Sequence, residues 1–235
     1  MITVVTPSVR SELLPIVDRC LKRQTMWADW IIVGPVPEAT VTEPPKRKGD
    51  YYNLNKAWNA AFRQAKGDLI VSIVDGLWFP PDTLERLWNH YQNNPKSCVS
   101  CIGHQYDKVE NGKPEHLVWS DPRVRADYGS FYEVPHTEME LCVASFPRQA
   151  VLDVGGVDEE FDKYAALSEK EMMARMYKAG YKTYIDQTIE YRAIKHDRLS
   201  TEWDIRYQAG WPYYEKCMKE IENGTRLHLD FVSEK

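Results

Sequence analysis

The sequence predicts an α/β domain with a doubly wound, mostly parallel sheet flanked by helices, and two observations support this. Short apolar runs rich in β-branched residues recur at residues 2–6, 30–33 and 69–74, as expected for strands buried on both faces. Helical periodicity separates these runs and gives the order β-α-β-loop-α-β-α, which implies right-handed crossovers. At 235 residues the chain accommodates one large domain and is too short for two comfortable ones.

Local signals mark the elements at the start of the chain. The strand over residues 2–6 is followed by a helix from about Ser11, whose first turn tolerates Pro15. The second strand is closed by Gly34, and a loop rich in Pro, Glu and Lys then runs to Asp50. Loops of that length often carry function.

Two further helices flank the central strand over residues 69–74. The first is predicted over 53–66, with Leu54 on its buried face and Gly67 as its C-terminal stop. The second starts at Pro80-Pro81 and ends near residue 94, where Asn-Asn-Pro interrupts the helical pattern.

The second half is less regular, and its polar, aromatic segment over 104–137 has no assignment. The other elements are predicted as strands over 97–103, 140–146 and 181–185, helices over 148–154 and from Ser168 to before Gly180, and a final helix carrying Trp203 to Met218.

Composition limits the partners and the location. Thirty basic and 35 acidic residues give a net charge of −5, which does not favour nucleic acid or an anionic membrane. The basic cluster 46–48 is either a solvated loop or a phosphate contact. No apolar run is long enough for a transmembrane segment, and the first residues form a strand pattern and not a signal peptide. We therefore expect a cytoplasmic protein.

Cysteine usage points to a reduced, metal-free framework. Five cysteines, an odd number, argue against paired disulfides. Cys98 and Cys101 have metal-ligand spacing, but no second pair accompanies them and they lie in an apolar alternation. We favour burial in a strand over a zinc site.

The central strand ends abruptly at Asp75, which is followed by Gly76. A carboxylate at the carboxyl end of a central α/β strand lies where such folds bind ligands. The alternative is that Asp75 only caps a turn.

Four groups of residues, in this order and spacing, carry a resemblance to a known family. They are the opening Val4-Val5-Thr6-Pro7-Ser8-Val9-Arg10, then Asn53 to Asn59 with Ala65 to Asp68 leading into Asp75, then Gly155 to Phe161 with Glu169 to Arg175 and Ala179-Gly180-Tyr181, and finally His196. With these residues the chain resembles the family-2 glycosyltransferases, which have the GT-A fold, from about residue 2 to 196.

The resemblance implies a GT-A type fold, with a Rossmann-like, mostly parallel central sheet and a small antiparallel subregion on the acceptor side. It implies a single domain over 1–235. Residues 1–95 would form the nucleotide-sugar-binding half, 96–200 the acceptor and catalytic half, and 201–235 a C-terminal helix and tail. The implied reaction moves a sugar from a nucleotide-diphosphate donor to an acceptor hydroxyl, with inversion and with help from a divalent cation.

The metal ligands implied by the resemblance are Asp75, as the first acid of the Asp-x-Asp motif, and His196, although a lone histidine is often structural. Oxygen ligands with one imidazole suit Mn²⁺ or Mg²⁺. Leu77 replaces the second motif acid, which leaves the strength of metal dependence open. Gly34 and Pro35 replace the acid that often contacts uracil, so the donor base and sugar stay open.

The resemblance places the catalytic base at Glu169, at the start of a helix. Ser168 and Glu171 also form a capping box, in which both side chains bond free backbone N–H groups. We assign Ser168 and Glu171 to the cap and Glu169 to catalysis, with Glu171 or Glu159 as the alternative bases. Ser168-Glu169 stands where the family usually has an acidic pair.

Donor-binding roles follow from the resemblance for residues near the first strand end and one lysine. They are Thr6, Pro7, Ser8 and Arg10 around the nucleoside, and Lys56 with Arg10 near the diphosphate. Lys56 also fits a solvated helix face. Trp78 and Phe79 are interpreted either as sugar-stacking or lid residues or as packing under the following helix.

Two other functions compete with glycosyl transfer. A nucleotidyltransferase would usually open with a Gly-rich phosphate loop, and residues 6–10 contain no glycine. A non-catalytic module that binds a nucleotide sugar or glycan is favoured by Leu77 and by the altered acidic pair. The acceptor stays open: a glycan or another hydroxyl compound is expected, with aromatic residues of 104–137 and 203–211 as its walls, and a protein or modified base as alternatives.

Overall fold

The computed structural model describes residues 1–41, 53–195 and 203–232. Its strands are β1 (Ile2–Pro7), β2 (Asp29–Val33), β3 (Leu69–Ile73), β4 (Leu77–Trp78), β5 (Ser97–Glu110), β6 (Lys113–Trp119), β7 (Phe131–Glu133), β8 (Val143–Pro147) and β9 (Lys182–Ile194). The α-helices are α1 (Leu14–Leu21), α2 (Leu54–Gln64), α3 (Thr83–Asn93), α4 (Arg148–Val154), α5 (Ser168–Lys178) and α6 (Trp203–Glu222).

The described strands form one sheet in the order β2-β1-β3-β8-β5-β9-β4, with β6 paired to β5 and β7 to β9. β1 runs parallel to β2 and β3, and β5 runs parallel to β9, while β8 lies antiparallel between β3 and β5. The predicted mostly parallel α/β sheet is therefore confirmed. The carboxyl ends of β1, β3 and β5 meet at one edge, to which the start of β8 also belongs.

Helices cover both faces of the sheet, because successive residues of the buried strands point to opposite sides. In β3, Ile70 packs into a core that includes α2, α4 and α5. Leu69 and Val71 pack into a second core that includes α1 and α3. All three residues have no exposed surface, so both faces of the central strand are dry, as the uninterrupted apolar run predicts.

β5 and β9 are longer than the sequence pattern indicated, because both continue past a bulge where the register shifts beyond Cys101. Beyond it, β6 pairs antiparallel with β5, and β4 pairs antiparallel with β9. This smaller unit matches the predicted antiparallel subregion. Cys98 and Cys101 are fully buried in β5, and burial raises the pKa of the Cys98 thiol to about 12.

Two local expectations around α2 are wrong. Leu54 is 41% exposed at the helix start and does not belong to the buried face. Gly67 does not stop the helix, which ends at Gln64. A Cβ at Gly67 would lie 2.6 Å from the Thr3 backbone nitrogen, so glycine is needed here for close approach to β1.

The unassigned segment 104–137 is organised around a buried ion pair between Asp121 and Arg123. Arg123 also donates to the carbonyl of Cys101 on β5, and Tyr132 on β7 donates its hydroxyl to the Arg123 carbonyl. These bonds fix the segment against the amino-terminal half of β5.

The C-terminal segment 226–232 returns from α6 and crosses the turn after α4. The backbone N–H of Leu229 donates to Val154, and that of Val232 donates to Gly155. Gly155 has φ +71° and a Cβ there would lie 1.3 Å from the Leu229 carbonyl oxygen, so no other residue fits. In the described ranges no helix is long and apolar enough to cross a membrane.

Candidate active site

Asp75 lies two residues after the end of β3, at the carboxyl edge of the sheet, and is 8% exposed. Gly76 behind it has φ +72° and packs against Leu13 and Ile194, which turns the chain sharply. The Ser8 hydroxyl donates to Asp75 Oδ2 at 2.8 Å, and Arg10 Nη1 donates to Oδ1 at 3.0 Å. The structure thus brings together three of the residues predicted to bind the donor.

The chain after β1 is shaped so that Ser8 and Arg10 reach Asp75. The Ser8 N–H donates to the Val33 carbonyl on β2, and the Arg10 N–H donates to Ser8 Oγ at 3.1 Å. This side-chain turn fixes Arg10 two residues beyond Ser8. These two hydrogen bonds therefore fix the loop that carries both side chains.

The other predicted donor and metal residues are placed differently. Thr6 is fully buried and its hydroxyl accepts from the Trp30 indole N–H at 2.9 Å, and Pro7 is the buried last residue of β1. Lys56 is exposed on α2, and its side chain has no hydrogen bond or ion pair in the described part of the chain. His196 lies outside the described residues.

The residues after Asp75 do not surround it. Leu77, at the position of the second motif acid, and Phe79 are both 2% exposed and pack in the core under α1 and α3. Trp78 lines a groove of about 730 Å³ between the end of α1 and the β5–β6 turn, with Lys113 Nζ 4.6 Å from its ring centroid. The lid interpretation is wrong for Phe79, and Trp78 faces this groove.

Glu169 is the second residue of α5, and the backbone before it is strained. Ala166 and Leu167 have φ +61° and +73°, in the left-handed region that non-glycine residues rarely adopt. The predicted capping box is wrong, because Leu167 occupies the cap position and no side chain bonds there. Glu171 is instead fully buried and bonds to Arg175 and Arg226.

Burial raises the pKa of the Glu169 carboxyl, and the neighbouring charge of Glu140 raises it further. The Ser168 hydroxyl lies 3.4 Å from Glu169 Oε2. Burial also raises the pKa of the Cys142 thiol to about 12, and the charges of Glu140 and Glu169 act in the same direction. Glu169, Glu140 and Cys142 therefore lie within electrostatic range of one another.

Cys142 lies near Glu169 and Glu140 and also contacts the strand end that carries Asp75. Its backbone carbonyl accepts from the N–H of Val74, the residue before Asp75, at 3.1 Å. Cys142, the residue before β8, is therefore near both the strand end that carries Asp75 and the predicted base Glu169. Within the described ranges, no three His, Cys, Asp or Glu side chains converge into a closed metal cage.

Residues 46–153, which include Asp75, match the sequence profile of glycosyl transferase family 2. The resemblance to the family-2 glycosyltransferases is confirmed. The match covers just under half of the chain and leaves Glu169 outside it. No curated protein sequence matches this chain.

The match to family 2 agrees with the fold. The crystal structure of GalNAc-T7 with UDP, GalNAc and Mn²⁺ aligns with a TM-score of 0.64 and 10% sequence identity. The alignment covers 99% of this chain and 52% of GalNAc-T7, so this chain spans about half of that protein's length. At this identity the likeness shows the GT-A fold alone.

Three charged residues beside the candidate site, Asp121, Arg123 and Glu140, were not found from the sequence. Arg123 lies 3.5 Å from the half-exposed Glu140 carboxylate and is buried against Asp121. All three belong to or border the segment without a periodic pattern, so nothing local marked them. Arg123 and Glu140 meet through β5, because Arg123 donates to the Ser100 hydroxyl and this hydroxyl donates to the Glu140 carbonyl.

Relieving the strain before Glu169 should stabilise the protein. Ala166→Gly is expected to raise the free energy of unfolding by about 0.5–1 kcal/mol, since left-handed backbone costs alanine more than glycine loses in chain entropy. Denaturant unfolding of this variant beside Ala165→Gly checks it. Ala165 is buried with φ outside the left-handed region, so that control should lose stability. Equal losses of unfolding free energy in both variants would contradict backbone strain at Ala166.

Proposed function

We propose that this chain transfers a sugar from a nucleotide-diphosphate donor to an acceptor hydroxyl, with inversion at the anomeric carbon. One observation carries the proposal. In a GT-A fold, Cys142 bonds to the residue that precedes Asp75 and lies within electrostatic range of Glu169 at the start of α5. A donor diphosphate beside Asp75 would leave the acceptor side open to Glu169.

Glu169 acts as the general base in this proposal. The acceptor oxygen attacks the anomeric carbon, its proton passes to the Glu169 carboxylate, and the bond from that carbon to the diphosphate oxygen breaks. A base works best when its pKa approaches the working pH, and burial moves the pKa of Glu169 in that direction. Glu171 is unsuitable because its carboxylate is fully buried between two arginines.

The residues present fit a cation that arrives with the donor. Mg²⁺ and similar ions are commonly held by one or two carboxylates together with substrate phosphates. Asp75 supplies one carboxylate at the sheet edge, and His196 is a second ligand by family resemblance. When bound, Mn²⁺ or Mg²⁺ would offset the charge of the departing diphosphate. Ser8, Arg10 and Lys56 are the proposed donor contacts, with the backbone of Thr6 and Pro7 beside the nucleoside.

A binding module without turnover is the second candidate. Its support is Leu77, which is sealed in the core where a second metal ligand would stand. A nucleotidyltransferase has no such support. Donor binding with no transfer to any acceptor would favour the binding module over the enzyme.

The proposal is tested by nucleotide-diphosphate binding with and without Mn²⁺, followed as a shift in melting temperature. A ligand at about 100 times its Kd should add roughly 2.7 kcal/mol of stability. Asp75→Asn should remove the Mn²⁺-dependent part of the shift.

Asp18→Asn is a matched control, since Asp18 on α1 forms an exposed ion pair with Lys22. A Mn²⁺-dependent shift that survives in Asp75→Asn would place the donor elsewhere. If none of UDP, GDP, CDP and ADP shifts the melting temperature, the proposed function is refuted.

A further inference from the structure

Both oxygens of the Asp75 carboxylate carry hydrogen bonds from the β1 loop. Ser8 holds Oδ2, and Arg10 forms an ion pair with Oδ1 at 3.0 Å. The side chains of Arg10 and Asp75 are only 15% and 7% exposed. An ion pair this sheltered is screened little by salt and is not a casual surface contact.

A positive charge therefore already stands where the proposed cation would bind. The Arg10 guanidinium takes one lone pair of Oδ1, and its positive charge at this distance repels a metal ion from the remaining positions. Removing the carboxylate from Arg10 would leave a largely buried guanidinium without this charge partner, which is strongly unfavourable. A bare metal ion offers Arg10 no replacement.

A nucleotide diphosphate does offer one. Guanidinium groups bind phosphate oxygens through two parallel hydrogen bonds, which is better geometry than a lysine can provide. The Ser8–Arg10 turn keeps the arginine backbone fixed, so only its side chain has to swing. The exchange then replaces one charge-assisted bond by another.

We propose that Arg10 is an exchangeable counter-ion, which neutralises Asp75 in the free protein and moves to the donor diphosphate when nucleotide and cation arrive together. Metal binding is thereby coupled to nucleotide binding, and the protein does not hold its cation in advance. The nucleotide half of this statement rests on the proposed function, whereas the neutralisation of Asp75 does not.

Titration with Mn²⁺, followed by the electron paramagnetic resonance signal of the free ion, tests the proposal. Without nucleotide, the wild-type protein should bind Mn²⁺ at least about 10-fold more weakly than Arg10→Gln, a typical coupling between two sites. The gain should vanish in the double variant Arg10→Gln with Asp75→Asn, which identifies Asp75 as the ligand.

Nucleotide diphosphates form the second arm. They should tighten Mn²⁺ binding to wild type, and this coupling should shrink in Arg10→Gln as nucleotide affinity falls. Arg10→Lys keeps the charge and should resemble wild type without nucleotide, which protects the test if the glutamine variant folds poorly. Equal Mn²⁺ affinity of wild type and Arg10→Gln overturns the counter-ion role. If no nucleotide changes the Mn²⁺ affinity of either protein, the proposed function fails. The comparison made with Mn²⁺ alone still decides the counter-ion role of Arg10.

Discussion

Glu169→Gln is expected to lower kcat by about 10²- to 10⁴-fold, the usual contribution of a general base, and to leave nucleotide-diphosphate affinity unchanged. The amide keeps the shape of the side chain and removes only its ability to accept a proton. Steady-state kinetics beside thermal-shift binding separates the two effects. Glu85→Gln is the matched control, because Glu85 lies in the first turn of α3 and accepts from Thr25 at an exposed position.

The pH profile gives an independent readout of the same residue. Burial raises the pKa of Glu169, so the base takes up a proton at a higher pH than an ordinary carboxyl group. The value of kcat/KM should fall as the pH drops through this raised pKa. The same shift makes the charged form unfavourable in the fold at neutral pH, so Glu169→Gln should keep or raise the melting temperature. Full turnover in the variant would move the base to Glu159.

Glu171→Gln should have the largest effect on stability, with a loss of roughly 3–5 kcal/mol, because it leaves the fully buried Arg175 guanidinium without its carboxylate, whereas Arg226 keeps Asp158. Glu171 is fully buried and accepts from Arg175 Nη2 at 2.7 Å and from Arg226 Nε at 2.9 Å. For a domain of this size the melting temperature should fall by roughly 6–20 °C.

Differential scanning calorimetry beside Glu169→Gln checks this expectation, since the two substitutions are chemically identical and two residues apart. A loss below about 1 kcal/mol, the range of an exposed pair, would show that the network around Glu171 is not needed for the fold.

The fold was largely predictable because its signals are local. The dry run over Leu69 to Val74 and the helical stripes gave the element order, and the order gave the mostly parallel sheet. What failed depended on distant contacts. Glu171 looked like half of a capping box, but Arg226, 55 residues later, takes its carboxylate. Gly67 looked like a helix stop, but it serves the approach to β1.

The candidate site divides in the same way. Asp75 was predictable because a strand end in an α/β sheet is a known place for a ligand. The pairing of Asp75 with Arg10, 65 residues earlier in the chain, was not, since both were assigned separately to the donor. Glu140 stood at the start of a predicted strand with nothing to mark it for chemistry, Arg123 stood in the unassigned segment, and both were missed. Ion pairs between residues that are far apart in the chain cannot be read from the local spacing of residues.

The crossing of the C-terminal segment over Gly155 has a practical consequence for protein engineering. A shortened version that stopped after α6 would lack Arg226, and with it one of the two cations beside Glu171. It would also uncover the backbone of Val154 and Gly155, which now accept from Leu229 and Val232. Expression boundaries for this domain should therefore extend at least to Val232, and a fusion partner should be attached beyond that residue.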